Sequence, residues 1–183
     1  VAAELEYYMK RNGSQKPSFD TICVSGTASS RPHGVPRNVR LESGFLTMDY
    51  GAMVNGYHSD MTRTIVIGKA DEDMKKLYNT VLKAQLAAID AITEGAKNAD
   101  MDKVARDVID NAGYKGYFSH SLGHGVGLEI HEQPGLHARM GDATLKAGQI
   151  VTAEPGIYIE GKYGCRIEDM VLVTKGGKRD LTD

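Results

Sequence analysis

Cysteine is scarce in this sequence, with only Cys23 and Cys165 among 183 residues. The two cysteines do not form a CxxC pair, and two are too few to hold a disulfide scaffold together. This usage is typical of proteins from reducing compartments. We therefore expect a cytoplasmic protein without a structural disulfide.

Long hydrophobic runs are also missing. No apolar stretch approaches the roughly 20 residues that a membrane-spanning helix needs. The first residues, VAAELEYYMKRNG, form a charged amphipathic pattern that differs from a secretory signal. The sequence therefore predicts neither a membrane span nor a signal peptide.

No excess of charge of one sign is present. The chain has 22 Lys and Arg against 24 Asp and Glu, a formal net charge of -2, and its basic residues form no run or stripe. Nucleic-acid-binding proteins concentrate positive charge on one face, so nucleic acid is not an expected partner. With 41% hydrophobic and 25% charged residues, the composition and length suit one globular domain.

Apolar residues spaced three and four apart predict helices, and short alternating segments predict strands, so the expected fold class is α+β. The longest predicted helix spans residues 71–94. Its predicted core face consists of Met74, Leu77, Tyr78, Val81, Leu82, Leu86, Ile89 and Ile92. The other predicted segments are a helix ending at Gly13, a strand at residues 18–25, a loop at residues 26–44, and a helix from an Asp100 N-cap to residues 111–113.

The segment LTMDYGAMVNGYHSDMTRTIVIG has two β-prone runs around Asn55 and Gly56, a pair that predicts a hairpin turn. With this pair at the centre of the turn, Asp49 and Asp60 lie diagonally on one face, with Cα atoms roughly 7 to 8 Å apart. Two such carboxylates repel each other unless a divalent cation lies between them. The alternative is that both face solvent beside the turn, where Asp is common.

Three histidines, His120, His124 and His131, fall in one short segment together with three glycines. The glycines disfavour a helix and allow the backbone to approach a ligand closely. Imidazole is a common ligand of catalytic metals, so the segment is a candidate metal site even if only some of the histidines bind. A structural role for them is the alternative.

A second pair of carboxylates, Glu154 and Glu168, lies in a second predicted hairpin. A loop centred on Gly161 sets the two glutamates opposite each other, unless the proline after Glu154 shifts the register. Arg166 shares a strand face with Glu168. It therefore either orients that carboxylate or is an ordinary surface cation.

Together these motifs resemble the pita-bread metallopeptidases of family M24, which include methionine aminopeptidase, aminopeptidase P and prolidase. The matching segments, in the family order, are PSFDTICVSG, PHGVP, MDYGAMVNGYHSDMTRT, HSLGHGVGLEIHE, AEPGIY and RIEDMVLVT. The resemblance covers nearly the whole chain. It implies two pseudo-symmetric αβ halves around a curved, mainly antiparallel sheet, with a pair of metal ions on its concave face.

The resemblance also implies a role for each ligand. Asp49 would bind one ion, Asp60 and Glu168 would bridge both ions, and His124 and Glu154 would complete the other. The mechanism that the resemblance implies is hydrolysis of the peptide bond by a metal-activated water. Glu154 is the best candidate for the residue that shuttles the proton in this reaction. This ligand set is intact here, whereas metal-free relatives such as creatinase depart from it.

Further positions match residues around the metals rather than ligands. His120 and His131 match histidines that contact substrate and stabilise the tetrahedral oxyanion, and His33 matches another histidine on the substrate side. Tyr158 and Arg166 match positions that line or support the site. All five are therefore expected to act on substrate or on ligand orientation.

Four carboxylates and one histidine form a donor set rich in hard oxygen atoms. We expect two divalent ions, with Mn²⁺ as the first choice and Co²⁺, Fe²⁺ or Zn²⁺ as alternatives. The remaining histidines, His58 and His137, match no functional position and are expected at the surface.

The segments RIEDMVLVT, PSFDTI and GYHSDMTRT resemble the Xaa-Pro branch of the family more than methionine aminopeptidase. The expected activity is removal of the residue ahead of proline from a peptide, by an aminopeptidase or a dipeptidase. One alternative is methionine aminopeptidase activity. An alternative of another class is a metal-free creatinase-like enzyme or a peptide-binding module without catalysis.

Residues 1–183 are expected to form the catalytic domain alone. In the Xaa-Pro branch this domain follows an N-terminal domain that contributes to oligomerisation, and the family domain begins before Val1. We therefore expect a chain that lacks an N-terminal domain and part of the first helical segment, and that could also stop short of the usual C-terminus. Homodimer formation by the full-length protein is left open.

Overall fold

The computed structural model describes residues 1–183 and confirms the α+β class. Its helices are α1 (Ala2–Arg11), α2 (Glu72–Ala91) and α3 (Asn98–Ile109). Its strands are β1 (Lys16–Pro17), β2 (Ile22–Ser25), β3 (Gly44–Tyr50), β4 (Ala52–Val54), β5 (Tyr57–His58), β6 (Met61–Ile67), β7 (Gly123–Gly125), β8 (Glu132–Leu136), β9 (Ile150–Ala153), β10 (Gly156–Ile159), β11 (Tyr163–Arg166), β12 (Asp169–Thr174) and β13 (Gly177–Asp180). Turns of 3₁₀ helix occupy Gly26–Ser30 and Ala138–Met140, and a π-helical turn, Asp110–Tyr114, follows α3.

Every strand pair in the fold is antiparallel. In the first half of the chain, β3 lies between β2 and β6, and the short strands β1, β4 and β5 form a separate sheet. In the second half, five strands are ordered β13, β12, β9, β7 and β8, and β10 pairs with β11 alone. Each half therefore contributes one long antiparallel hairpin.

The first hairpin has the register that its turn predicts. Asn55 and Gly56 have φ angles of 52° and 82°, the left-handed conformations that a type I′ turn requires. β3 and β6 then pair so that Asp49 lies opposite Thr62, and Asp60 lies just before β6 begins. The predicted diagonal placement of the two aspartates is confirmed.

The second hairpin also keeps its predicted register. It consists of two consecutive ladders, β9 with β12 and β10 with β11, whose flanking pairs are Ala153 with Asp169 and Gly156 with Arg166. Glu154 and Glu168 therefore face each other, as a loop centred on Gly161 predicts. Pro155 does not shift the register because it lies between the ladders, where its missing N–H removes no ladder hydrogen bond.

The two hairpins meet along a seam at which β6 runs beside β11 and the start of β12. The Glu168 N–H donates to Thr62 O at 3.2 Å, the Arg166 N–H donates to Thr64 Oγ1 at 3.3 Å, and the Thr64 hydroxyl donates to Arg166 O at 2.8 Å. These bonds align the two hairpins. They bring the two aspartates of the first hairpin beside the two glutamates of the second.

One hydrophobic core of 22 buried residues joins both halves. It includes Leu77 of α2, Phe45 of β3, Val151 of β9 and Ile157 of β10, each with no exposed surface. Burying a side chain of this size stabilises the fold by about 1.5–3 kcal/mol relative to leaving it in water. The core therefore fixes both hairpins through their own side chains, and with them the seam.

The longest predicted helix is confirmed as α2, over Glu72–Ala91. Its N-cap residue is Asp71, whose side chain accepts from the Met74 N–H at 2.7 Å. The prediction that Leu86 is a core residue is wrong, because its side chain is 55% exposed. The neighbouring Gln85 points inward instead, since its amide donates to the buried carboxylate of Asp169 at 2.6 Å. Gln85 thus occupies a buried position that the apolar pattern did not predict, and its hydrogen bond satisfies the polar amide there.

The predicted strand at residues 18–25 is only half right, because β2 begins at Ile22. Ser18 is bound elsewhere: its N–H donates to Gly51 O, and its hydroxyl lies 2.7 Å from His58 Nδ1. The same contact makes the surface assignment of His58 wrong, since the imidazole is half-buried against Ser18.

The predicted start of α3 is also corrected. The helix begins at Asn98 with Lys97 in the N-cap position, and Asp100 lies in the first turn, where its negative charge interacts favourably with the helix dipole.

The surface assignment of His137 is wrong as well, since the residue is half-buried and its Nδ1 atom is buried. Both cysteines are free, and no helix is long and apolar enough to cross a bilayer.

Candidate metal centre

A cavity of about 360 Å³ opens at the seam between the two hairpins. Its wall includes the five predicted ligands, Asp49, Asp60, His124, Glu154 and Glu168. Four other predicted site residues also line it, His33, His120, His131 and Arg166. The tenth, Tyr158, lies directly behind the wall and is hydrogen-bonded to two of its members. The structure thus brings every predicted site residue together.

The tightest group in the cavity is Asp60, His124 and Glu168, each of which places one ligand atom within 4.8 Å of the other two. His124 Nδ1 donates to Gly125 O at 3.0 Å, so Nε2 of the neutral ring carries a lone pair. That Nε2 lies 3.5 Å from Asp60 Oδ2 and 3.4 Å from Glu154 Oε1. Because burial lowers the pKa of His124 to about 4, the ring is neutral at pH 7 and its lone pair faces carboxylate oxygens.

The carboxylates of the site are close to one another, with Asp49, Asp60 and Glu168 buried and Glu154 half-buried. Burial raises the pKa of Asp60 to about 9, and the charges of Asp49 and Glu154 add to this rise. Burial raises the pKa of Glu154 to about 8, against the opposing charge of Arg166, and raises that of Glu168 well above its ordinary range, reinforced by its acidic neighbours. Protons or cations are needed to relieve this repulsion.

Arg166 is the central hydrogen-bond donor behind the site, with a side chain that is 3% exposed. Its guanidinium donates to Asp49 Oδ2 at 2.6 Å, to Thr62 Oγ1 at 3.0 Å and to the Tyr158 hydroxyl at 2.8 Å. The alternative that Arg166 is an ordinary surface cation is wrong, because its side chain is buried. Arg166 reaches Glu168 through Thr62, whose hydroxyl donates to Glu168 Oε2 at 2.6 Å.

His120 completes a chain of hydrogen bonds that begins at Arg166. Its Nδ1 donates to Ser121 O at 2.8 Å, and its Nε2 lies 2.9 Å from the Tyr158 hydroxyl. Burial lowers the pKa of His120 to about 4, so the ring is neutral and Nε2 accepts from Tyr158. In this arrangement His120 offers no donor to the cavity.

The other two histidines of the wall are exposed. The ring of His131 lies 4.3 Å from that of His124, between centroids, and His33 comes from the loop after the 3₁₀ turn. Sequence reasoning missed several wall residues that carry no local signal: Phe19, Ile22, Ser121 and Ile130. It also missed Thr62, although the predicted register already put this residue opposite Asp49.

This donor set fits divalent cations. Asp49 Oδ1 is buried and has no hydrogen-bond partner, although Oδ2 of the same carboxylate is held by Arg166. His124 presents a lone pair rather than an N–H to its acidic neighbours. Carboxylate oxygens and a neutral imidazole are the ligands that catalytic divalent metals use. A cation would satisfy both the orphaned oxygen and the lone pair.

A model of metallopeptidase family M24 matches residues 1–175 of the chain. The chain belongs to this family. An Xaa-Pro dipeptidase from Pyrococcus furiosus is 50% identical over 183 residues, which are 100% of this chain and 52% of that protein. The chain therefore spans about half the length of the curated relatives that it matches.

Solved structures of M24 enzymes have the same fold. Prolidase from Pyrococcus furiosus matches with a TM-score of 0.97 and 49% identity, over 100% of this chain and 54% of that chain. An X-Pro aminopeptidase from Thermotoga maritima matches with a TM-score of 0.95 and 41% identity, over 100% and 52%. The predicted pita-bread fold is confirmed, and membership of family M24 implies divalent metal ions.

The crowding of carboxyl groups in this M24 site predicts a stability that depends on pH and on metal. Folded Asp60 and Glu154 hold protons up to a pH of about 9 and about 8, whereas the unfolded chain releases them near their ordinary pKa values of 3.8 and 4.5. Unfolding therefore releases protons, and the free energy of unfolding of the metal-free protein falls as the pH rises through this window. A divalent cation replaces the protons and restores stability.

The measurement is the melting temperature of the full-length protein between pH 7 and pH 9, with chelator and with Mn²⁺. We expect a melting temperature that falls with pH in chelator and a larger Mn²⁺-induced rise at pH 9 than at pH 7. A flat profile in chelator would contradict the assignment.

Proposed function

We propose that the full-length protein is a dinuclear metal-dependent exopeptidase that hydrolyses the bond between an N-terminal residue and proline. Residues 1–183 serve as its catalytic domain. The observation that carries this proposal is the convergence of Asp60, His124 and Glu168, with ligand atoms within 4.8 Å of one another, at a cavity that Asp49 and Glu154 also line. Similarity to an Xaa-Pro dipeptidase and to a prolidase supports the substrate class.

In this proposal Asp49, Asp60, His124, Glu154 and Glu168 hold two divalent ions. Oxygen-rich donor sets favour Mn²⁺, with Co²⁺, Fe²⁺ and Zn²⁺ as alternatives that depend on supply. When bound, the ions supply Lewis acidity and lower the pKa of a water molecule to near neutrality. The chain supplies the orientation of the ligands, which it fixes through the hydrogen bonds at His124 Nδ1 and Asp49 Oδ2.

Glu154 is proposed to move the proton. The carboxylate accepts the proton of the attacking water and delivers it to the proline nitrogen as the peptide bond breaks. A carboxylate suits this task because it can hold the proton between the two steps. Its Oε1 lies 3.4 Å from the Thr152 hydroxyl, which keeps the carboxylate pointing into the cavity.

The three histidines of the substrate side are proposed to have different tasks. His131 is exposed on the cavity wall and is free to donate to the developing oxyanion, and exposed His33 contacts the peptide near the scissile bond. His120 holds Tyr158 through its Nε2 and contributes to the same wall. A substrate that draws Tyr158 away would release that nitrogen for contact with the peptide.

The test is a cleavage panel of Xaa-Pro, Xaa-Pro-Xaa and Met-Ala-Ser peptides with the full-length protein and defined metals. We expect release of the N-terminal residue from a proline peptide in Mn²⁺. Cleavage of Xaa-Pro alone identifies a dipeptidase, and cleavage of the tripeptide identifies an aminopeptidase. Preference for Met-Ala-Ser would favour methionine aminopeptidase instead.

Elemental analysis of the same preparation separates the metal-dependent reading from a metal-free enzyme or a peptide-binding module. We expect two equivalents of divalent metal per chain. If the protein carries two ions and cleaves no proline peptide, the proposed activity is wrong.

A further inference from the structure

The segment that carries His120 into the cavity has no regular secondary structure. Residues 115–122 connect the turn after α3 to β7 without a helix or a strand. Nevertheless both His120 and Ser121 line the cavity, and Leu122 O accepts the N–H of Glu154 at 2.9 Å. Two more backbone bonds hold the ends of the segment, from Tyr158 N–H to Tyr117 O at 3.0 Å and from Leu122 N–H to Leu136 O at 3.1 Å. None involves residues 118–121, so side-chain contacts must fix this stretch beside the ligands.

Two side chains of α3, one turn apart, bind the backbone of this segment. Asp102 is 3% exposed, and its Oδ1 accepts the Leu122 N–H at 2.9 Å. Arg106 donates to Phe118 O at 2.8 Å and to His120 O at 2.5 Å. The two side chains are also joined to each other, Nε to Oδ2 at 2.6 Å and Nη2 to Oδ1 at 3.0 Å.

Aromatic contacts extend this arrangement to the imidazole itself. The Arg106 guanidinium lies over the Phe118 ring, 4.3 Å from its centroid. The Phe118 ring in turn meets the His120 ring edge to face, with centroids 5.0 Å apart. The position of His120 is therefore fixed at its backbone oxygen and at its ring, and both contacts lead back to Arg106.

A neighbouring pair on α3 shows that such contacts are not a general property of the helix surface. Lys103 and Asp107 form an ion pair with the same four-residue spacing, but their side chains are 70% and 55% exposed. This pair has no hydrogen bond to residues 118–122. Exposed pairs of this kind contribute little to stability.

We propose that Asp102 and Arg106 are positioning residues that act through His120, an inference that rests on the proposed function. They hold the backbone of residues 118–122 so that His120 Nε2 meets Tyr158 and the wall facing the substrate keeps its shape. Only the planar guanidinium reaches two carbonyl oxygens and a carboxylate at once, so lysine is not an equivalent residue here.

The decisive experiment is a double-mutant cycle in the full-length, metal-loaded protein with Arg106→Lys and His120→Ala. Misplacing a group near the reacting bond can lower the rate of the reaction by up to about a hundredfold. We therefore expect Arg106→Lys to lower kcat about tenfold to a hundredfold, with little change in KM. In the His120→Ala background the same substitution is expected to change kcat by less than about twofold. Equal losses in both backgrounds would overturn the inference.

Two readouts do not depend on turnover. Hydrogen exchange of the backbone amides in residues 118–122 is expected to accelerate in Arg106→Lys, and the imidazole NMR signals of His120 are expected to shift. Lys103→Ala, the matched control on the same helix, should change neither quantity nor kcat. Unchanged exchange and unchanged signals in Arg106→Lys would overturn the inference. A wild-type protein without turnover would count against the proposed function alone, and these two readouts would still decide whether the pair positions His120.

Discussion

Asp60→Asn is expected to lower kcat/KM on a proline peptide by at least about 10³-fold and to remove at least one of two bound metal equivalents. Asp60 is 5% exposed and belongs to the tightest group of ligand atoms in the cavity. Losing a metal forfeits several kcal/mol of transition-state stabilisation, and each 1.36 kcal/mol is a factor of ten in rate. Steady-state kinetics and elemental analysis measure the two effects.

The same substitution is expected to leave the metal-free protein at least as stable as the wild type. Burial and the charges of Asp49 and Glu154 raise the pKa of Asp60 to about 9, so the wild type must take up a proton there when it folds at pH 8. A neutral amide of equal size avoids this cost. Loss of activity with a rise in the melting temperature at pH 8 would separate a functional from a structural role. Asp73→Asn, on a side chain that is 75% exposed, is the control. Retention of both metals and of wild-type turnover by Asp60→Asn would contradict the ligand assignment.

Arg166→Met is expected to lower the free energy of unfolding by about 3–5 kcal/mol at pH 8, because removal of one partner of a buried ion pair leaves the other charge uncompensated. Asp49 would lose its 2.6 Å contact while its other oxygen already lacks a protein partner. Thr62 and Tyr158 would lose their donors as well. Chemical denaturation of the chelated full-length protein measures this loss.

Metal affinity should fall in the same variant, by about tenfold to a hundredfold, since groups that orient a ligand contribute effects of that size. Arg166→Lys keeps the charge but not the fork of donors, so it should lie between the wild type and Arg166→Met. Arg179→Met, at an exposed arginine of β13, should stay within about 0.5 kcal/mol. Equal stability of Arg166→Met and the wild type would show that Asp49 does not need this partner.

The elements that follow from local rules were predictable. Both hairpin registers were right because each depends on a short signal, the left-handed Asn55 and Gly56 in one case and a loop centred on Gly161 in the other. The long helix was right because its apolar period persists over many residues. The errors at Leu86, Asp100 and Ser18 arose where side-chain hydrogen bonds of Gln85, Asn98 and Ser18 overrode the pattern.

The contacts of Arg166 show where prediction stopped. Strand alternation placed this residue on the face of Glu168, yet its guanidinium bonds Asp49, which is 117 residues away in the chain. Local sequence rules cannot predict a contact between residues so far apart in the chain, because it forms only once the two hairpins are joined along the seam. The same holds for Thr62, whose hydroxyl connects the hairpins by donating to Glu168.

The sequence by itself determined the identities of the donor residues and the resemblance to family M24. It also determined the two registers, which place the two aspartates diagonally and the two glutamates opposite each other. Only the tertiary structure decided how these pairs face each other, which carboxylate Arg166 serves and what holds His120. The physical reason is that turn conformations and side-chain alternation act within a few residues. The burial that raises the pKa of Asp60 and lowers that of His124 acts between segments brought together by a shared core.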